Sequence, residues 1–189
     1  MTPQEINTFW LDEVGEKGWY QQSDDLDAQI RQRFLAAWQD AATLTQSWKG
    51  TAQGALAALI LTDQFPRNMF RNDPRAFATD ALALEIANEA INNGFDLAIA
   101  VPARQFFYLP FEHSENLSDQ NRAVELCAEF LPGETLRHAQ LHRDTIRNFG
   151  RFPWRNLALG RENTPQEQAL MDAGGYGALV SGRVVLEAS

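Results

Sequence analysis

Seven side chains fit for ionic or acid–base chemistry stand where helical patterning calls for apolar residues, or where proline and glycine break the chain. They are Asp63, Arg67, Arg104, His113, Glu115, His142 and Arg151. Asp63 follows Leu56, Leu59 and Ile60 on one face of an apolar helix. It falls in the expected last turn, where the helix dipole disfavours an anion. A buried carboxylate there needs a cation and further hydrogen bonds. Arg67 is the nearest cation, in Asp63-Gln64-Phe65-Pro66-Arg67-Asn68. Pro66 is expected to end the helix and leave Arg67 and Asn68 exposed on a turn. A buried Asp–Arg tie that holds this turn is the favoured reading, ahead of a catalytic aspartate.

His142 shares a stripe with Ala139, Ile146 and Phe149, and reads first as a hydrogen-bonded core histidine. His138 lies one turn earlier, a spacing that chelates metals, but it flanks Arg137 on an exposed edge, so no metal site is expected. Arg143 and Arg147 are also four apart and repel. They need an anion beside them, either a protein carboxylate or a ligand. The loop Phe111-Glu112-His113-Ser114-Glu115 concentrates titratable groups. If extended, it points His113 and Glu115 the same way. Adjacent side chains diverge, so His113, Ser114 and Glu115 form no triad by themselves. Nucleophile elbow, glycine-rich phosphate loop and Cys–His zinc spacing are all missing, and no cofactor is expected. Cys127 sits on a core stripe and reads as inert.

The elements that must position these groups are helical. Thr2-Pro3-Gln4-Glu5 is a capping box with proline at the first helical position, and the same four letters recur at Thr164-Pro165-Gln166-Glu167. Ser23 is expected to cap a helix with the stripe Leu26, Ile30, Phe34, Ala37 and Ala41. Thr51 opens a helix through Ala55 to Gln64 that is apolar nearly all round, hence central and buried. Asp73-Pro74 starts another, with Phe77, Ala81, Leu84, Ala87 and Ile91 inward. Ser118 is expected to cap a helix burying Ala123, Val124, Cys127, Phe130 and Leu131, and residues 134–149 form the next, ended by Gly150. Phe106 to Phe111 reads as a short helix and turn, because Pro110 argues against a strand. No strand pattern emerges, so the expectation is an all-α bundle of about seven or eight helices. A single domain is expected over 1–172, followed by a glycine-containing, loosely packed tail over 173–189.

With 189 residues and 44% apolar content the chain is long enough for a sizeable core. The longest apolar run, Ala55 to Leu61, is far too short to span a membrane, and the N-terminus lacks a signal-peptide pattern. A single cysteine fits a reducing, cytoplasmic setting. The net charge of −9 argues against nucleic acid and anionic membranes as partners. Yet residues 137–161 carry six arginines against Asp144, a local +5, which leaves −14 (−9 minus 5) elsewhere. Arginine outnumbers lysine 14 to two, and its planar fork suits carboxylates and phosphates.

Ordered motifs along the chain carry a resemblance. They are Phe9-Trp10, Leu61-Thr62-Asp63-Gln64-Phe65-Pro66-Arg67-Asn68, Ala76-Phe77-Ala78-Thr79-Asp80 and the run from Arg104 to Glu115. Asp119-Gln120, His142-Arg143, the run Phe149 to Asn156, and Leu159-Gly160-Arg161 complete the set. Across about residues 5–170 the chain resembles the bacterial family called domain of unknown function 924. The resemblance implies a tetratricopeptide-like array of antiparallel helix pairs, and no function. Thr62 stands where members usually have leucine, and Trp154 where many have histidine.

Three functions compete on these residues. The leading one is a non-catalytic binding module with an arginine-lined groove for an anionic small molecule or an acidic peptide's carboxylate. Its expected ligand-binding set is Asp63, Arg67, Asn68, Arg104, Glu112, His113, Glu115, His142, Arg147, Arg151 and Arg155. The second is a small hydrolase or transferase working on an anionic substrate through Asp63, His113, Glu115 and His142. The third is purely structural, with the motif charges pinning loops. The seven residues named at the outset are expected to converge. Mutual pairing of all of them favours the structural reading, and a shared opening favours the other two.

Overall fold

Helix starts fall where side-chain oxygens are available to cap them. In a computed structural model that describes residues 1–186, Thr2 accepts from the Glu5 N–H while Glu5 accepts from the Thr2 N–H. Ser23, Thr51 and Thr164 cap in the same way, onto Leu26, Gly54 and Glu167. The described residues contain no strand, and ten helices make up most of them, joined by loops and short 3-10 turns. We number them α1 (residues 3–18), α2 (Asp24–Gln39), α3 (Ala41–Trp48), α4 (residues 52–69), α5 (Asp80–Asn92), α6 (Leu109–Glu112), α7 (Leu117–Phe130), α8 (Glu134–Phe149), α9 (Pro165–Asp172) and α10 (Tyr176–Val180).

The chain divides into two compact units, Met1–Pro110 and Phe111–Ser189, where the sequence leads one to expect a single domain over 1–172. In the first, α4 is the hub, packed by α1, α2, α3 and α5. Residues 54–66 are accordingly all buried, as a helix enclosed on every side must be. Its core is aromatic: Phe65 meets Phe34, Trp10 and Phe9 at ring-centroid distances of 4.6, 5.6 and 5.9 Å. In the second unit, α7 and α8 pack as a pair across the short Pro132-Gly133 turn, and α10 lies against α8. Gly150, at φ +72°, ends α8 in a left-handed conformation that costs glycine little.

Several expectations are corrected. Pro66 does not stop its helix. Between Ile60 and Gln64 the helix widens into a π-turn, so the Phe65 N–H reaches the Ile60 carbonyl five residues back, and helix resumes over Phe65–Met69. Proline removes the donor that the Thr62 carbonyl would have had. The Thr79 hydroxyl supplies it at 2.5 Å, and itself accepts from Trp38 Nε1 at 3.1 Å. Consequently Asn68 is buried rather than exposed. Pro74–Phe77 form only a 3-10 turn, and α5 begins at Asp80, which rotates its buried stripe to Ala83, Ile86, Ala87 and Ala90. The cap of α7 is Asn116, not Ser118, and Val124 and Phe130 are only half-buried while Gln120 and Leu126 face inward. The segment expected to be a loose tail contains α10, with Ala178 and Leu179 buried; residues 187–189 lie outside the described residues.

Candidate functional site

The residues singled out by sequence fall into both units. In the first, Arg67 joins two motifs. Its Nη2 lies 2.8 Å from Asp80 Oδ1 and 3.5 Å from Asp63 Oδ1, its Nη1 donates to the Ala76 carbonyl, and its guanidinium lies 4.9 Å from the Phe77 ring centroid. Asp63 is 1% exposed and also accepts from Gln64 Nε2 at 2.5 Å. The expected Asp–Arg tie is present, and it fastens the end of α4 to the segment entering α5. Arg104 donates to the carbonyls of Ile99 and Leu97.

In the second unit most arginines also meet protein oxygen. Arg161 grips Glu115 with two bonds of 2.7 and 2.9 Å, while Glu115 also accepts from the Phe152 N–H. Burial raises the pKa of Glu115, but Arg161 and that N–H outweigh it and hold the carboxyl below its ordinary range. Arg151 is bidentate to Glu167 at 2.6 and 2.8 Å, and Glu167 simultaneously completes the capping box at Thr164. The Arg151 guanidinium brings the Glu167 pKa down to about 2. Arg155 is buried against the Phe152 ring and donates to the His113 carbonyl. The anion required between Arg143 and Arg147 is their own neighbour Asp144, at 2.9 and 3.6 Å.

The Glu167 pair has a consequence for acid stability. A folded pKa below the ordinary value means the pair contributes stability above about pH 4.5, and that contribution disappears as pH falls towards 2. Glu167→Gln should therefore flatten the acid limb of the stability–pH curve, and at neutral pH cost roughly 1.5–3 kcal/mol, the usual worth of a charge-assisted bond. Urea melts at a series of pH values measure this. Parallel curves for parent and variant would show that the pair contributes nothing.

What remains is a cluster around Glu112. This carboxyl is 1% exposed, at the end of α6. Its Oε2 stands 3.4 Å from His142 Nδ1 on α8, and its Oε1 3.6 Å from the Cys127 thiol on α7. At 3.4 Å the Glu112–His142 contact is longer than a well-made hydrogen bond. Burial lowers the His142 pKa, with smaller contributions from His113 and Arg155; Glu112 opposes but does not reverse this. Burial raises the pKa of Cys127 and of Tyr176, and the charge of Glu112 adds to both shifts. Cys127 is buried on its helix stripe, where the sequence pattern places it.

Four aromatic rings surround His142: Tyr176 at 4.8 Å, Phe152 at 5.4 Å, Trp154 at 6.2 Å and His113 at 6.4 Å between centroids. His138 Nδ1 bonds the Tyr176 hydroxyl. His142 keeps 14% of its side chain exposed, and its buried Nδ1 makes no closer polar contact than Glu112 among the described residues. A carboxylate facing Nδ1 favours the neutral tautomer with its proton there, which makes Nε2 the acceptor of the ring. The site can thus accept a hydrogen bond, or a proton, beside flat aromatic walls. Among the described residues no three His, Cys, Asp or Glu side chains group as a metal site.

Sequence reasoning named Glu112, His113 and His142 but missed their supports. Gln120 donates to the carbonyls of Phe111, Glu112 and Ser114 and so sets the loop's path. Its membership in the Asp119-Gln120 motif was the available signal. Tyr176 was hidden in a glycine-rich stretch. Trp154 packs at 5.1 Å from it.

No helix of the described chain is long and apolar enough to cross a membrane. No curated protein matches the chain. A solved structure, that of the protein of unknown function ATU0120 from Agrobacterium tumefaciens, is similar with a TM-score of 0.87 and 41% identity over 91% of this chain and 97% of that one. The model of a family described as bacterial protein of unknown function (DUF924) matches residues 6–175. With motifs, fold and the matched span in agreement, the chain belongs to the DUF924 family of bacterial proteins of unknown function.

Proposed function

We propose that this protein is a binding module for a small anionic ligand, and that the ligand contacts the second unit at the exposed edge of His142. The carrying observation is the buried Glu112 carboxylate facing Nδ1 of His142, an imidazole that keeps 14% of its side chain exposed. A ligand hydroxyl or amine would donate to Nε2, and an aromatic or flat apolar part would lie against Trp154 and Tyr176. The anionic character rests on charge. Arg143 and Arg147 share one carboxylate, so that trio keeps a net positive charge, and the charge of Arg155 is felt at the His142 ring. The arginine-lined groove expected from sequence contracts to these groups, because the other guanidiniums are engaged. An acidic peptide presenting a carboxylate fits the same chemistry, and a cytoplasmic location goes with the single buried cysteine.

A second reading has the same geometry behind it. A neutral imidazole oriented by a carboxylate is the arrangement of a general base, which would make the protein a small hydrolase or transferase. Asp63 and Glu115 do not belong to that reading, since arginines hold both.

Histidine-selective nitrogen NMR tests the site. His142 should show a protonated Nδ1 and titrate below the ordinary 6.5. In Glu112→Gln that titration should fall further, because the one influence raising it is removed. Phenyl phosphate and benzoate should perturb the His142 and Trp154 signals saturably, and His142→Gln should abolish this. Unperturbed signals with both probes would remove the binding proposal. Hydrolysis of 4-nitrophenyl phosphate or acetate that is lost in His142→Gln would establish the second reading.

A further inference from the structure

The first unit contains a cavity of about 380 Å³, within the range of small-molecule sites. One wall is α2, which contributes Asp24, Asp27 and Arg31; the other is the end of α4 and the turn after it. Asp27 and Asn68 form its buried floor, 6% and 7% exposed, with Asn68 Nδ2 donating to Asp27 Oδ1 at 2.9 Å. Asn68 was the sequence candidate with no assigned task.

The cavity's charges can be cancelled in pairs, with one remainder. Arg71 neutralises Asp27, with Nη2 donating to Oδ1 at 2.9 Å and Nε to Oδ2. Arg75 neutralises Asp73 at 2.8 Å. Arg31 and Asp24 are left over. Arg31 donates only to the Met69 carbonyl and meets no carboxylate, and Asp24 meets no cation, among the described residues. Positions 24, 27 and 31 share one helical stripe. Seven residues at 1.5 Å rise separate the two unmatched charges by roughly 10 Å along the wall.

We propose that this cavity binds a small zwitterion whose ammonium and carboxylate lie several bonds apart, as in an ω-amino acid, a basic amino acid or a short peptide. The ammonium pairs with Asp24 and the carboxylate with Arg31, over the neutralised floor of Asp27, Asn68 and Arg71. A singly charged ligand leaves one wall charge unmatched. An α-amino acid with a short side chain carries its charges too close together to reach both. The proposal is independent of the His142 site.

The competing account of Asp24 is a helix-dipole role in the first turn of α2, which predicts a stability effect without ligand specificity. The test is titration of the full chain with 6-aminohexanoate, followed by amide NMR shifts of residues 24–31 and 68–75. Hexanoate and hexylammonium at matched ionic strength are the comparisons. The zwitterion should bind at least tenfold more tightly than either, and Asp24→Asn and Arg31→Gln should each weaken it at least fivefold. Both positions are exposed, and circular dichroism checks that the variants keep their helix content. Equal binding of all three probes, no saturable shift at these residues, or undiminished affinity in both variants would overturn the proposal.

Discussion

Asp63→Asn should lower the unfolding free energy by roughly 3 kcal/mol, the low end for breaking a buried ion pair. The low end applies because Arg67 is not stranded: Asp80 still holds it at 2.8 Å. The loss falls on the side of the carboxylate. Asp63 is 1% exposed, and an asparagine there exchanges an ionic acceptor for an amide with two donors to satisfy. For a chain of this length, 1 kcal/mol corresponds to about 2–4 °C, so the melting temperature should drop by about 6–12 °C. Urea denaturation read by tryptophan fluorescence measures it. A loss below about 1 kcal/mol would mean that Arg67 draws its stabilisation from Asp80 and the Ala76 carbonyl alone.

Phe65→Ala should cost more, roughly 3–5 kcal/mol, by lost burial plus the cavity left behind. Phe65 is fully buried, and its ring touches those of Phe9, Trp10 and Phe34 at once, so no single neighbour can collapse into the gap. It also starts the stretch of helix that resumes after the π-turn. Phe65→Leu, which keeps most of the volume, should lose less than about 1.5 kcal/mol. A comparable loss in both variants would implicate the helix path rather than the packing.

These two positions also mark what could be read before the fold was known. The central placement of α4 followed from its sequence, because a helix apolar on every face has no solvent side. The Asp63–Arg67 tie followed from a carboxylate in that setting needing a cation within a turn. The caps at Thr2, Ser23, Thr51 and Thr164 are equally local, each requiring one oxygen two or three residues from an orphan N–H. Cys127 read correctly for the same reason: a small apolar side chain on a regular stripe.

Pro66 shows where local rules run out. By itself proline ends a helix, but here the Thr62 carbonyl takes its donor from Thr79, seventeen residues beyond Thr62 and held in turn by Trp38. Such compensation depends on a packed neighbour and has no local signature. The arginine cluster is a similar case. Its excess charge is a sequence property, whereas the bonds to Glu115 and Glu167 are set by how loops fold back. The Glu112–His142 contact joins residues thirty positions apart, with Tyr176 brought in by a helix that composition disguised as a tail. Periodicity and capping act over one or two turns and determined the all-α fold. Which charges cancel, and which imidazole edge is left open, depends on distances of 3 to 4 Å between separate helices, and only the tertiary structure decided those.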